Sequence, residues 1–345
     1  MSTRAKLGGL LGLLTLAVVA FLVKDGAFVS RAGVLVLQHG SGSASCGDMA
    51  CAREADGHPS IHVFIPSFNN LELLLVNIGL LVNRSKLPGR IYYTVLVMDD
   101  LESDRAHAVD TVQSRYPHAD VHHLVFPPSL KGGQVLPDVF EKVLKLTSGD
   151  LTVFADTDAL MLAPQWDARL DDLFSDEQVA VAAINPRVGM SEFHCLAEWN
   201  WMTIRTRVYT SPKHPFLLEV GLHDWGHSFT YHATMLGYQQ HLWSYSGKFM
   251  GNLGSVAGDA VDDLFVVHSF YASRRHKDVP KGHPEAGAVQ SDSQRHVMEE
   301  WAAQTPQERD LSLVPSFSKD ECSKVKVVVP AKYLASWRRA GLPMV

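Results

Sequence analysis

The stretch Leu151-Thr-Val-Phe-Ala-Asp156-Thr-Asp158-Ala-Leu-Met-Leu162 joins an apolar, strand-like segment to two carboxylates separated by one residue. Because successive side chains of an extended chain point to opposite faces, Asp156 and Asp158 are expected on the same side of the strand. Two carboxylates there suit a hard divalent cation, Mn²⁺ or Mg²⁺, of the kind that also holds substrate phosphates. The alternative is a strand that ends in an ordinary polar turn, since Asp is common in turns and this tripeptide alone is a weak signal.

Apolar, β-branched runs alternate with helix-compatible runs on the N-terminal side of this stretch. The predicted strands are 61–65, 91–98 and 121–126, and the predicted helices are 71–82, 102–116 and 135–146. Alternation of this kind predicts an α/β fold with a largely parallel sheet flanked by helices. Ligands of such sheets bind beyond the carboxyl ends of the strands, where residues 66–70, 99–100 and 156–158 would meet.

The N-terminal region has the pattern of a membrane anchor. Residues 7–23 carry no charge, and Arg4 and Lys6 precede them. A spanning helix needs roughly 17 to 25 apolar residues, whereas the apolar part of a cleaved signal peptide, the alternative, is usually about 7 to 15. Positive charge ahead of the span favours a cytoplasmic N-terminus. The sequence therefore predicts a single-pass type II protein of the Golgi or ER membrane with four regions: a cytoplasmic tail (1–6), a transmembrane signal anchor (7–23), a flexible Gly- and Ser-rich stem (24–59) and a lumenal folded domain (60–345).

Four cysteines and one sequon fit the oxidising compartment that this orientation implies. Two disulfides could form in three pairings, and the short spacing favours Cys46 with Cys51, which leaves Cys195 for Cys322. Four unpaired thiols are the alternative, because none of the spacings is diagnostic. Asn83, in Asn-Arg-Ser, is a candidate for N-glycosylation.

Composition limits the size of the protein and its partners. The 345 residues are 46% hydrophobic and 20% charged, which is enough for one large or two ordinary folded domains. The formal net charge of −6 gives no electrostatic reason to bind nucleic acid. We therefore expect no nucleic-acid partner.

Several short motifs, taken in their order along residues 60–185, resemble the nucleotide-sugar half of GT-A glycosyltransferases. They are Phe64-Ile-Pro-Ser-Phe-Asn69, Val97-Met-Asp-Asp100, Lys131-Gly-Gly, Ser148-Gly-Asp150 and Val153-Phe-Ala-Asp-Thr-Asp158. The resemblance implies a GT-A fold, which is Rossmann-like with a mostly parallel central sheet flanked by helices. It also implies a nucleotide diphosphate sugar as donor, with a UDP-sugar favoured. By resemblance, the nucleotide-sugar-binding residues of this half are Pro66, Ser67, Asn69, Asp99, Asp100, Lys131, Asp156 and Thr157.

Residues 186–345 would form the acceptor-binding half, and the resemblance suggests a catalytic carboxylate there. Asp224 is the first candidate because it precedes a helix-like stretch, and its alternative role is an N-terminal cap of that helix. Asp262 and Asp263 are the second candidates. Their alternative role is a solvated turn.

The same half contains the candidate third metal ligand, His268, at the end of an apolar run. With Asp156 and Asp158 it would complete the site for Mn²⁺ or Mg²⁺, and Arg274 and Lys277 would contact the diphosphate of the donor. A lone histidine is otherwise most often structural. The two basic residues would otherwise belong to an ordinary surface turn.

Together these features predict a metal-dependent glycosyltransferase that transfers a sugar to a hydroxyl acceptor on a glycan or glycoprotein in the secretory pathway. One alternative is a metal-dependent phosphohydrolase that uses Asp156 and Asp158, although in aspartate-nucleophile phosphatases this motif normally opens the domain. A second alternative is a non-catalytic carbohydrate-binding protein of the same fold. No sequence feature selects the donor sugar, the acceptor or the linkage.

Overall fold

The computed structural model describes the fold through several separate parts of the chain. Those parts are residues 27–30, 33–39, 57–67, 70–97, 102–117, 119–125, 144, 147, 149–184, 195–198, 200–218, 226–249, 254–268, 292–314, 322 and 327–342.

Strands and helices alternate in the N-terminal half of the described chain, and strands dominate in the C-terminal half. The strands are β1 (Ala27–Ser30), β2 (Gly33–His39), β3 (Ile61–Ser67), β4 (Ile91–Val97), β5 (Ala119–Val125), β6 (Leu151–Ala155), β7 (Ala159–Met161), β8 (Val179–Ile184), β9 (Trp201–Arg205), β10 (Gln239–Phe249), β11 (Gly254–Ala260) and β12 (Asp263–His268). The helices are α1 (Leu71–Asn83), α2 (Glu102–Arg115), α3 (Trp166–Phe174), α4 (Thr206–Tyr209), α5 (Gly226–Met235), α6 (Asp292–Ala303) and α7 (Ala331–Arg339), and short 3₁₀ turns lie at Pro88–Arg90 and Leu311–Leu313.

The described strands form one mixed sheet in the order β1-β2-β5-β4-β3-β6-β9-β8-β10-β11-β12-β7. Its centre is parallel, because β5, β4, β3 and β6 all run in the same direction. β10 is also parallel to β8, and the remaining neighbours are antiparallel. The predicted α/β class with a parallel central sheet is therefore confirmed, and the antiparallel strands on either side of the centre are an addition to it.

Both faces of the central sheet are buried, which explains why its strands have continuous apolar sequences. Ile61, Val63 and Ile65 of β3 pack into one apolar cluster. Phe64, between them, packs instead against Phe154 of β6, with ring centroids 5.9 Å apart. Because alternate side chains point to opposite faces, the two clusters lie on opposite sides of the sheet. The ends of these strands are therefore the expected place for the polar residues of a binding site.

The segment predicted as a flexible stem, residues 24–59, includes two strands of the sheet, β1 and β2. β1 pairs with β2, and β2 pairs antiparallel with β5, with Val36 opposite Val125. The physical reason is the run Gly33-Val-Leu-Val-Leu-Gln-His39, whose β-branched and apolar side chains favour an extended strand at a sheet edge. The Gly- and Ser-rich composition begins only after this run.

The described residues contain no helix that is long and apolar enough to cross a membrane. The predicted tail and anchor, residues 1–23, lie outside the described residues. Membrane attachment through this segment therefore stays a prediction.

One disulfide joins two distant parts of the described chain. Cys195 is bonded to Cys322, 127 residues away, with their Cα atoms 5.1 Å apart. This is one of the two pairings that the sequence favours; the other, between Cys46 and Cys51, lies outside the described residues. Asn83, the candidate glycosylation site, is the last residue of α1 and has an exposed side chain.

An aromatic cluster around His232 packs α5 against α7. The imidazole is fully buried, with ring centroids 5.4 Å from Tyr209, 5.4 Å from Phe216 and 5.2 Å from Trp337. Burial disfavours the charged imidazolium and, with repulsion from His214, lowers the pKa of His232 to about 4. The folded protein therefore holds this histidine neutral at a pH where the unfolded chain already protonates it.

His232 is expected to make the protein less stable in mild acid. Between pH 6.5 and about 4 the unfolded chain binds a proton here that the folded chain does not, so the free energy of unfolding falls as the pH falls. From pH 7 to pH 5 this contribution is about 2 kcal/mol. Urea unfolding at both pH values measures it, and His232→Phe should lose about 2 kcal/mol less than the wild type. His296→Gln, on the exposed surface of α6, is the control, and an equal loss in all three proteins would contradict the assignment.

Candidate metal centre

Asp156, Asp158 and His268 come together at one edge of the sheet. The Nε2 atom of His268 lies 3.3 Å from Oδ1 of Asp158 and 3.6 Å from Oδ2 of Asp156. One ligand atom from each of the three residues lies within 4.8 Å of the other two. Asp158 and His268 are buried, whereas 21% of the Asp156 side chain is exposed. The cluster is therefore a potential metal site that is enclosed on one side and accessible on the side of Asp156.

Strand pairing explains how residues 110 positions apart in sequence meet here. β6 ends at Ala155, a short turn carries the two carboxylates, and β7 begins at Ala159. β12 pairs antiparallel with β7, and in that register His268 lies opposite Ala159. The last residue of β12 is thereby placed beside the last residue of the turn.

Asp156 and Asp158 lie on the same side of the chain because a turn places them there. The sequence predicts the same arrangement for a different reason, the alternation of side chains along a strand. The backbone N–H of Ala159 donates to the carbonyl of Asp156, with 3.0 Å between nitrogen and oxygen. The backbone N–H of Asp156 donates to the carbonyl of Asn200 at 2.9 Å, just before β9. Residues 156–158 therefore lie after the end of β6, where the ladder has stopped and the chain reverses toward β7.

Thr157, which is predicted to bind the nucleotide sugar, forms a buried hydrogen bond within the protein. Its side chain is 2% exposed, and its hydroxyl donates a hydrogen bond to the carbonyl of Pro66 at the end of β3. That hydrogen bond uses the hydroxyl proton, and the contact of Thr157 with a nucleotide sugar stays a prediction. The residue links the turn to β3.

Asn77 of α1 is a contributor to the site that the sequence did not identify. Its side-chain nitrogen donates to the carbonyls of Asp156 and Thr157, at 2.9 and 3.0 Å. The residue is fully buried. The sequence shows Asn77 only as a single amide among the apolar residues Leu73, Leu74 and Ile78 of this helix. A hydrophobic pattern alone does not assign a role to such a residue.

Glu198, which no sequence motif singles out, is a buried acid at the same edge of the sheet. Its backbone N–H donates to the carbonyl of Ile184 at the end of β8, and the side-chain nitrogen of Asn200 lies 3.5 Å from Oε2 of Glu198. The Cα of Gly226, at the start of α5, approaches this segment so closely that a Cβ there would lie 2.4 Å from the carbonyl oxygen of Ala197. The glycine therefore permits α5 to begin against this edge.

The electrostatic field of the cluster favours positive charge. Burial by itself lowers the pKa of His268, but the carboxylates of Asp158 and Asp156 outweigh it and raise that pKa to about 10. The field that stabilises a proton on this imidazole would equally stabilise a divalent cation. Carboxylate oxygens with one imidazole nitrogen are a ligand set suited to Mn²⁺, and carboxylates with substrate phosphates suit Mg²⁺.

The other predicted site residues fall into two groups. Pro66 and Ser67 end β3 and are buried, while Asp262 and Asp263 lie at the turn between β11 and β12. The remaining predicted residues lie outside the described parts of the chain: Asn69, Asp99, Asp100, Lys131, Asp224, Arg274 and Lys277.

Asp262 and Asp263 are separated from the metal cluster by the length of β12, because Asp263 begins that strand and His268 ends it. Both acids are exposed, and Asp263 forms an ion pair with Arg169, with 2.8 Å between nitrogen and oxygen. A six-residue strand spans roughly 16 Å between its first and last Cα atoms. The structure therefore places both acids at the opposite end of β12 from His268, and a catalytic role for either acid stays a prediction.

Comparisons with known proteins give no match for the sequence and several for the fold. No protein-family model matches the chain, and no curated protein matches it. Among solved structures, the chain is similar to the mannosyltransferase PcManGT from Pyrobaculum calidifontis in complex with GDP-Man and Mn²⁺, at 17% identity and a TM-score of 0.41, over 54% of this chain and 55% of that one. It is similar to S. aureus TarS 1–349 at 17% identity and a TM-score of 0.38, over 53% of this chain and 57% of that one.

A third similar structure is glucosyl-3-phosphoglycerate synthase from Mycobacterium tuberculosis in complex with phosphoglyceric acid. Its identity is 16% and its TM-score 0.36, over 59% of this chain and 75% of that one. The chain spans a little over half the length of the first two structures.

Proposed function

We propose that this protein is a metal-dependent glycosyltransferase that transfers a sugar from a nucleotide diphosphate sugar to a hydroxyl acceptor. The observation that carries the proposal is the cluster of Asp156, Asp158 and His268 at the carboxyl edge of a parallel-centred α/β sheet. Ligands of such sheets bind at that edge. A UDP-sugar donor and a glycan or glycoprotein acceptor are the substrates we propose.

The geometry suits a cation that is held by protein on one side and by substrate on the other. Asp158 and His268 would supply the buried ligands, and the partly exposed Asp156 would bind beside the opening. When bound, the cation would neutralise charge that develops on the diphosphate leaving group. The protein residues fix the position of that charge, and Asp224 remains the proposed base for the acceptor hydroxyl if configuration is inverted.

We further propose that the reaction takes place in the lumen of the Golgi or ER. The Cys195–Cys322 disulfide supports an oxidising compartment, and the exposed Asn83 side chain is compatible with glycosylation. Residues 7–23 would supply the type II membrane anchor.

The experiment is a panel of UDP- and GDP-sugars incubated with the full chain, with Mn²⁺ or with EDTA, in which release of nucleoside diphosphate is measured. Release that requires Mn²⁺ and one class of sugar nucleotide is the expected result. Release of phosphate from simple phosphate esters would instead identify a phosphohydrolase. Binding to a glycan array without turnover of any donor would identify a carbohydrate-binding protein.

A further inference from the structure

The buried side-chain amide of Asn77 forms hydrogen bonds to the backbone of the turn that carries Asp156 and Asp158. Both donated hydrogen bonds of the Asn77 side chain go to carbonyl oxygens of this turn, those of Asp156 and Thr157. Because a carbonyl can only accept, the nitrogen of the amide must face the turn. Both amide hydrogens of Asn77 are thus committed to the backbone between the two candidate ligands.

Two further hydrogen bonds hold the same turn from other elements. The Thr157 hydroxyl donates to the carbonyl of Pro66 in β3, and the Asp156 N–H donates to the carbonyl of Asn200 before β9. The backbone between the two carboxylates is therefore fixed to α1, β3 and the start of β9. The carboxylates themselves remain on the side of His268.

Before a cation arrives, the two neighbouring carboxylates repel each other, and the imidazole of His268 offsets this repulsion only in part. A turn without side-chain clamps would relieve this repulsion by rotating the carboxylates apart, and a cation would then have to reassemble its site. Hydrogen bonds to the backbone keep the ligands assembled without using any ligand atom. Outer-shell partners of this kind typically change metal affinity by about 10- to 100-fold.

We propose that Asn77 and Thr157 are positioning residues that pre-assemble the Asp156–Asp158–His268 metal site. The inference rests on the proposed metal-dependent function and adds to it the residues that set cation affinity. Neither side chain binds the cation, and each acts through the backbone of the turn. Asn77 contributes two hydrogen bonds and Thr157 one, so the loss of Asn77 should have the larger effect.

The test is a Mn²⁺ titration of the full chain, in which the electron paramagnetic resonance signal of free aqueous Mn²⁺ gives the Kd. Asn77→Leu keeps the branching of the side chain but donates no hydrogen bond, and we expect its Kd to rise about 10- to 100-fold. Thr157→Val removes only the hydroxyl and should raise the Kd by a smaller factor. A broadened spectrum of bound Mn²⁺ in Asn77→Leu would further indicate a looser ligand geometry.

Ile78→Ala is the matched control, because Ile78 is equally buried on α1 and its truncation destabilises the core without removing a hydrogen bond to the turn. A Kd that rises equally in Ile78→Ala and Asn77→Leu would overturn the proposal, since general destabilisation would then explain both. If Asn77→Leu does not fold, Thr157→Val decides, and a wild-type Kd in that variant overturns the proposal.

Asp158→Asn separates this inference from the proposed function. If Asp158→Asn weakens Mn²⁺ binding and neither Asn77→Leu nor Thr157→Val does, the positioning role alone is refuted. If Asp158→Asn also binds Mn²⁺ like the wild type, the metal centre is refuted, and the proposed function and this inference fail together.

Discussion

Asp158→Asn is expected to reduce metal-dependent release of nucleoside diphosphate by about 1000-fold, which corresponds to about 4 kcal/mol of transition-state stabilisation. The substitution retains the shape of the side chain but removes the charge that lies 3.3 Å from His268. Because Asp158 is a candidate ligand itself, its loss should weaken Mn²⁺ binding more than the 10- to 100-fold that is typical of outer-shell partners. Initial rates with the donor that the wild type uses, at saturating Mn²⁺, measure the effect.

Asp172→Asn is the matched control for this prediction, because Asp172 is an exposed acid on α3 that belongs to none of the proposed sites. It makes the same chemical change and should leave the rate within about twofold of the wild type, since surface substitutions rarely perturb a fold by more than about 0.5 kcal/mol. Circular dichroism must show both variants folded. An Asp158→Asn protein that is folded and as active as the wild type would remove the metal centre from the mechanism.

The second large effect is expected at a buried ion pair that joins α3 to the segment leading into β4. Asp167 in α3 is fully buried and accepts hydrogen bonds from the backbone N–H groups of Lys86 and Leu87 and from the guanidinium of Arg90, at 2.6, 2.9 and 3.2 Å. Burial alone would raise the pKa of Asp167, but these three hydrogen bonds and the charge of Arg90 hold it below its usual value. The carboxylate therefore remains charged and joins α3 to the segment that leads into β4.

Asp167→Ala is expected to lower the free energy of unfolding by about 3 to 5 kcal/mol, because it leaves the buried Arg90 without one of its two carboxylate partners and two backbone donors without an acceptor. Urea unfolding followed by circular dichroism at pH 7 measures the loss. Asp172→Ala, five residues further along α3 and exposed, is the control and should change stability by no more than about 0.5 kcal/mol. Equal losses in the two variants would show that the ion pair contributes nothing.

The residues of the metal centre differ in how far the sequence could identify them. Asp156 and Asp158 follow an apolar strand and are recognisable from local pattern alone. His268 is identifiable only through a family resemblance, because the register of β12 against β7 is a long-range feature that no local pattern encodes. Asn77 is not identifiable from the sequence, because one amide in an apolar helix has many possible partners, and only the packing of α1 against the turn selects Asp156 and Thr157.

Two predicted site residues have structural partners that the sequence does not reveal. A motif names residue types and spacings, but it does not state which atoms a side chain will reach. The resemblance predicts a ligand contact for Thr157 and a catalytic role for Asp263, and the structure shows the Thr157 hydroxyl bonded to Pro66 and Asp263 paired with Arg169. In both residues the neighbour that decides the role is about 90 residues away in the chain.

The sequence by itself determined the α/β class, the parallel centre of the sheet and the position of the two carboxylates at the end of β6. These follow from hydrophobic periodicity and turn composition, which are local properties of the chain. Only the tertiary structure decided that β1 and β2 extend the sheet, that His268 lies beside Asp158, and that Asn77 and Thr157 hold the turn between the carboxylates. These depend on strand register and on packing between distant segments, which are properties of the whole fold and are absent from any short window of sequence.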